Sequence, residues 1–134
     1  MREDLPFAYM GVDPGTAKCG IAALDEKGNA IYMRTVSLSL LTGETTRLLG
    51  AYRISDIAVG NRTGAGAVVK EIKQAFPGIN VSMMEEAGST SEGVMFLIKS
   101  KHPMLRWVFY LGLAAGLISA DSWAAYVIAK RAFF

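Results

Sequence analysis

The sequence predicts an α/β protein built on a five-stranded mixed sheet flanked by helices. Three observations lead there. Three short apolar runs with turn residues between them precede any helix-like segment. Two further apolar runs then alternate with helix-like segments, and the remainder of the chain reads as helices. Successive strands joined by short turns pair antiparallel, whereas strands separated by a helix lie parallel through a crossover.

The first run, Phe7-Ala8-Tyr9-Met10-Gly11-Val12, ends at Asp13-Pro14-Gly15-Thr16, where the chain must turn sharply. A short apolar run bounded by Pro and Gly has the length and flanks of a buried strand. Gly20 to Asp25 and Ala30 to Leu38 flank Glu26-Lys27-Gly28-Asn29, which makes a hairpin. Thr42 to Tyr52 follows as a polar helix, with Thr42 as its N-cap and Leu48, Leu49 and Tyr52 on its inner side.

Ile54 to Gly60 is the fourth strand and ends in Asn61-Arg62-Thr63-Gly64. Val68 to Phe76 is an amphipathic helix. Val68, Val69, Ile72 and Phe76 face the sheet, and Lys70, Glu71, Lys73 and Gln74 face water. Pro77-Gly78 stops it. Ile79 to Met84 then alternates Ile79, Val81 and Met83 as a fifth strand and leads into Glu85-Glu86-Ala87-Gly88. Ser89 or Thr90 caps a helix reaching about Lys99, and a linker with Pro103 precedes an apolar helix from Trp107 to Leu117. The last helix starts at Ser119 and carries Asp121, Ala124, Ala125, Ile128 and Ala132 on one face.

At 134 residues the expectation is a single domain spanning 1–134, large enough to bury a core. With 51% hydrophobic and 19% charged residues, the composition excludes a disordered chain. The net charge of +2 tolerates a polyanionic partner without demanding one. Cys19 is the only cysteine and His102 the only histidine, so an internal disulfide, a cysteine zinc cluster and a His-paired triad are all excluded. Cys19 itself suits a small buried hydrophobe. The first residues, Met1-Arg2-Glu3-Asp4, do not read as a secretory leader, and the expected location is the cytoplasm. Trp107 to Ala120 carries no charge but is shorter than the roughly 18 residues of a membrane span. No membrane partner is expected. That apolar stretch serves equally as an internal core or as a dimer surface, so monomer and homodimer both stand.

Three acidic positions line up. Asp13 ends the first strand, Glu85-Glu86 ends the fifth, and Asp121 opens the last helix on its sheet-facing side. Open α/β sheets bind their ligands at the carboxyl ends of the strands. A carboxylate buried there is costly without a cation or hydrogen-bond donors. Asp13 can also be read as a turn residue before Pro-Gly, and Asp121 as a carboxylate serving the amides of its own helix. Acids converging within about 4 Å repel one another unless a divalent cation joins them. Mg²⁺ or Mn²⁺ prefers such hard oxygen ligands, and two such ions suit phosphodiester hydrolysis.

The chain resembles the YqgF branch of the RuvC-like nucleases, within the ribonuclease H superfamily. The likeness runs from about Ala8 to Ala132. It rests on Val12-Asp13-Pro14-Gly15-Thr16 with Gly20, on Ile57-Ala58-Val59-Gly60, on Glu85-Glu86-Ala87-Gly88-Ser89-Thr90, and on Asp121-Ser122-Trp123-Ala124-Ala125. The resemblance implies a ribonuclease H-like fold and a metal-dependent nuclease acting on precursor ribosomal RNA or on branched DNA. Catalytic residues would be Asp13, Glu86 and Asp121, with Glu85 as a further candidate metal ligand and Mg²⁺ or Mn²⁺ as cofactor.

The family's Asp-Glu-Arg is Glu85-Glu86-Ala87 here, which looks instead like the YqgF-type domain embedded in Tex-type transcription factors, thought to act as scaffolds. The loop Asn61-Arg62-Thr63-Gly64 is shorter than in typical members, and Ile118 stands where RuvC-type resolvases carry a further acid. A binding module without turnover is therefore the alternative. An ATP-binding, actin-like kinase shares the strand, Asp-x-Gly-Thr and hairpin pattern, but needs two such domains.

Four basic residues are expected near the site as nucleic-acid contacts: Lys18, Arg62, Lys130 and Arg131. Trp107, Phe109 and Tyr110 either stack on bases or fill a core.

Overall fold

In the computed structural model, which describes residues 4–62, 64–84 and 120–134, the first apolar run is the central strand, β1 (Phe7–Pro14). The hairpin strands are β2 (Lys18–Leu24) and β3 (Ala30–Ser37). Helix α1 (Leu41–Ala51) leads to β4 (Arg53–Gly60), and α2 (Ala65–Ala75) leads to β5 (Asn80–Met84). The last helix, α3, spans Ala120–Phe133. The helices expected to Lys99 and from Trp107 lie outside the described residues.

The sheet order is β3-β2-β1-β4-β5. β1 pairs antiparallel with β2 and β2 with β3, while β4 is parallel to both β1 and β5. This is the expected mixed sheet of three antiparallel strands and two crossovers.

Alternation along the strands divides the core into two layers. Met10, Val12, Ile21, Ile57 and Val59 point to one face and pack with Leu41, Leu48, Leu49, Val68 and Ile72 of α1 and α2. Ala22 and Leu24 point to the other, against Trp123, Ala125, Tyr126 and Ala129 of α3. β1 is buried on both faces, as a central strand between helical layers must be.

α3 reaches the sheet through two glycines. A β-carbon on Gly20 of β2 would collide with the carbonyl oxygen of Asp121, and one on Gly11 of β1 with that of Ala125. The helix backbone therefore rests directly on the strands. Ser122 to Ala129 are buried without a break, so the burial goes all the way round the helix rather than following the single face the sequence suggested. At the far end, Tyr9 stacks on Phe133 with ring centroids 4.6 Å apart.

Several boundaries differ from the sequence reading. Thr42 does not cap α1: a 3₁₀ turn, Leu38–Leu40, runs straight into the helix, whose N-cap position is Leu40 with no side-chain capping bond. Burial of Leu41 fixes that start in place of a polar cap. α2 begins three residues before Val68, at Ala65, immediately after Gly64 turns the chain with φ +89°. The small residues Ala65, Gly66 and Ala67 carry no apolar period to reveal it. On β5, Met83 is exposed and Val81 is half-buried, so the strand alternates less sharply than its sequence does.

Two glycine substitutions are expected to act oppositely. Replacing Gly by Ala relieves an entropic cost of about 0.5–1 kcal/mol, whereas overpacking costs about 1–3 kcal/mol. Gly20→Ala meets helix backbone, so its urea midpoint should fall. Gly43→Ala in α1 meets nothing within 4 Å, and its midpoint should rise.

Candidate active site

Asp13 occupies the carboxyl end of β1 and keeps only 2% of its surface exposed. It falls in phase with Tyr9 and Gly11, so its side chain lies on the α3 face of the sheet. Its cross-strand partner is Gly20, the residue on which the backbone of Asp121 rests. The absence of a side chain at Gly20 thus brings the first turn of α3 beside Asp13. Two of the acids expected at one site are brought together by this contact.

The electrostatics follow from that placement. Burial pushes the Asp13 carboxyl up from 3.8 to about 6; the nearby Arg62 opposes the rise, and the charge of Asp121 adds to it. Desolvation wins because the group has almost no contact with water. Asp13 Oδ1 is buried and has no hydrogen-bond partner among the described residues. The Arg62 guanidinium approaches it to 3.8 Å, an ion-pair separation beyond hydrogen-bond reach.

Arg62 is delivered by the turn between β4 and α2. The amide of Asn61 donates to the carbonyl of Met84, that of Arg62 to Gly60, and that of Ala65 to Arg62. Gly60 pairs with Met84 one step beyond the Val12 to Val59 pair, level with Asp13. Met84 is the last described residue of β5. Glu85 and Glu86 follow it in sequence and lie outside the described residues.

Among the described residues, no cluster of three or more His, Cys, Asp or Glu could hold a metal ion. Asp13 and Asp121 nevertheless fit part of a hard-cation site, because a buried carboxylate oxygen without a donor is a group that a divalent cation satisfies.

The basic residues divide. Lys18 opens β2 at the Asp13 end and is exposed. Lys130 and Arg131 do not gather there. They lie nine and ten residues along α3 from Asp121, roughly 14 Å at 1.5 Å per residue. Lys130 donates to the carbonyl of Gly28 in the β2–β3 turn, at 3.1 Å, and its ammonium sits over the Phe134 ring. α3 runs antiparallel to β1, which carries its C-terminal cations away from the acids. Cys19 points to the opposite face from Gly20, into the α1 and α2 layer, where burial pushes its thiol up to about 11. It is a core residue, as its type suggested.

The Asp13–Arg62 pair went unseen in the sequence, which assigned Arg62 to phosphate. The signal available was its position two residues beyond Gly60, where a strand parallel and adjacent to β1 ends.

No protein-family model matches the chain, and no curated protein matches it by sequence. Solved structures do match. T. thermophilus RuvC in complex with a Holliday junction substrate aligns with a TM-score of 0.59 at 16% identity, covering 95% of this chain and 93% of that one. A second Thermus thermophilus RuvC structure gives 0.55 at 17% identity, covering 95% and 94%. This chain folds like RuvC. The ribonuclease H-like fold expected from the motifs is the one found, and at this identity the likeness concerns the fold. Among the described residues, no helix is long and apolar enough to cross a membrane.

A carboxyl whose pKa rises on folding stabilises the protein while protonated and loses that contribution as pH rises. In EDTA, Asp13 should cost the fold up to about 3 kcal/mol between pH 4 and pH 7, from about two units at 1.36 kcal/mol each. The difference in unfolding free energy between the protein and Asp13→Asn, measured across that range, isolates this group from the other acids. The variant should gain on the parent as pH rises and level off above about 6.

Proposed function

We propose that the chain is a metal-dependent nuclease that hydrolyses phosphodiester bonds of structured nucleic acid. One observation carries this reading: a buried carboxylate oxygen without a donor among the described residues, at the end of the central strand beside a second acid. A solvated turn residue would not be buried, and no described residue hydrogen-bonds Oδ1 as the groups around a structural cap would. The RuvC-like fold supports the reading, since the solved complex has RuvC on a Holliday junction. The motifs resembling the YqgF branch extend it to precursor ribosomal RNA or branched DNA as substrate, in the cytoplasm.

In this reading Asp13, Asp121 and Glu86, with Glu85 as a further ligand, hold Mg²⁺ or Mn²⁺. When bound, such an ion polarises the phosphate and lowers the pKa of an attacking water. Asp13 contributes a charge shielded from bulk solvent, where electrostatic interactions are strongest. Asp121 comes from the first turn of α3, fixed by the Gly20 contact. Lys18 and Arg62, at the same end of the sheet, take neighbouring phosphates. Lys130 and Arg131 contact the backbone of a longer substrate further along α3, through charge alone.

A second reading has its own observation. Arg62 already offsets the charge of Asp13, as a binding module without a metal would require.

The two separate in a cleavage assay on labelled single-stranded RNA, single-stranded DNA and a four-way junction with Mn²⁺, Mg²⁺ or EDTA. Cutting that needs metal and falls at least about 10²-fold in Asp13→Asn, while the variant stays folded, supports the nuclease. Salt-sensitive binding without cutting supports the module.

A further inference from the structure

Arg62 stands where a cation bound by Asp13 would repel it. Its guanidinium is 3.8 Å from a carboxylate that is 2% exposed, while its own side chain remains 43% exposed. One end of the pair is fixed in the sheet, and the other is a long side chain on a turn with solvent beside it. The backbone amides of Asn61, Arg62 and Ala65 donate to the carbonyls of Met84, Gly60 and Arg62, and Gly64 turns the chain at φ +89°. The exposed side chain is the end of the pair that can exchange this contact for another.

From this arrangement we infer that Arg62 is a counter-ion that gives way: it neutralises Asp13 in the metal-free protein and is turned out toward a substrate phosphate when a divalent cation binds. The inference rests on the metal-site reading above and adds an order of events to it. Before metal arrives, a buried carboxylate with no hydrogen-bond donor to Oδ1 among the described residues needs a positive charge nearby. Once a doubly charged ion sits against the carboxylate, that need is gone, and two cations within a few ångströms repel. Arg62 then has a favourable alternative, because its fork of donors matches phosphate geometry. Metal loading thereby prepares the protein for nucleic acid, and Arg62 is a positioning residue for the substrate. Lys18, exposed on the neighbouring hairpin with no part in the Asp13 pair, would contact phosphate whether or not metal is present.

The test uses two readouts that do not depend on turnover. Mn²⁺ affinity is measured by calorimetry for the full chain and for Arg62→Ala, Arg62→Lys and Asp13→Asn. Removing the competitor should tighten Mn²⁺ binding about fivefold in Arg62→Ala, the equivalent of one half-exposed ion pair. Arg62→Lys should stay near the parent, and Asp13→Asn should lose the site. The salt dependence of binding to a four-way junction with phosphorothioate linkages is then followed by anisotropy. In EDTA, Arg62→Ala and the parent should show the same slope of log affinity against log salt. In Mn²⁺ the variant's slope should be shallower by about one, whereas Lys18→Ala should be shallower in both buffers.

Equal Mn²⁺ affinity in the parent and Arg62→Ala, with Asp13→Asn impaired, overturns the counter-ion role and leaves the metal site standing. A slope difference for Arg62→Ala that is the same with and without metal also overturns it. Mn²⁺ binding that is absent, or indifferent to Asp13→Asn, removes the metal-site reading and this inference with it.

Discussion

A helix backbone lying where a β-carbon would otherwise be is the contact on which the site depends. Helices on sheets normally stand off by the length of their side chains. Here the carbonyls of Asp121 and Ala125 sit over Gly20 and Gly11, on adjacent strands of the sheet. The close approach buries Ala125 and Ala129, which are small because nothing larger would fit between the layers. It also sets the distance between two acids that are far apart in sequence. Asp13 and Asp121 meet through the backbone of their neighbours rather than through any bond between them.

The second constraint is the cost of the Asp13 charge. The strand end is desolvated because β1 is central and covered on both faces, which is also what makes the fold stable. The same burial that stabilises the sheet lifts the carboxyl to about 6, and among the described residues Oδ1 has no donor. The protein meets that cost partly with Arg62, held at the required level by the pairing of Gly60 with Met84. The stability of the sheet and the cost of the Asp13 charge are two consequences of one low-dielectric environment.

Much of this was legible in the residues. The apolar run stopped by Asp13-Pro14-Gly15 is a strand, and the hairpin around Gly28 and the two crossovers follow from local pattern, because each depends on neighbours in sequence. Thr42 was misread as a cap because a 3₁₀ turn joins β3 to α1 without a break, a tertiary arrangement that composition does not record. The start of α2 escaped because Ala65-Gly66-Ala67 has no period. Lys130 and Arg131 share a helix with Asp121, but α3 carries them the length of the sheet, a separation that depends on the direction in which the helix crosses the strands. The ion pair of Arg62 with Asp13 depends on the register between two strands far apart in sequence, and register is not written in either strand alone.

α3 is held at both ends. Gly20 and Gly11 receive its N-terminal half, while Lys130 ties its last turns to the carbonyl of Gly28. A rod fixed at two points cannot slide, and it cannot be lengthened without turning. One residue inserted between Asp121 and Ala125 would rotate the acid by about 100° relative to the anchored remainder, since a turn takes 3.6 residues. The spacing from Asp121 to Lys130 is therefore a ruler. Substitutions that keep its length can accumulate along the helix, but a change of length by even one residue would separate the acid from its partner across the sheet.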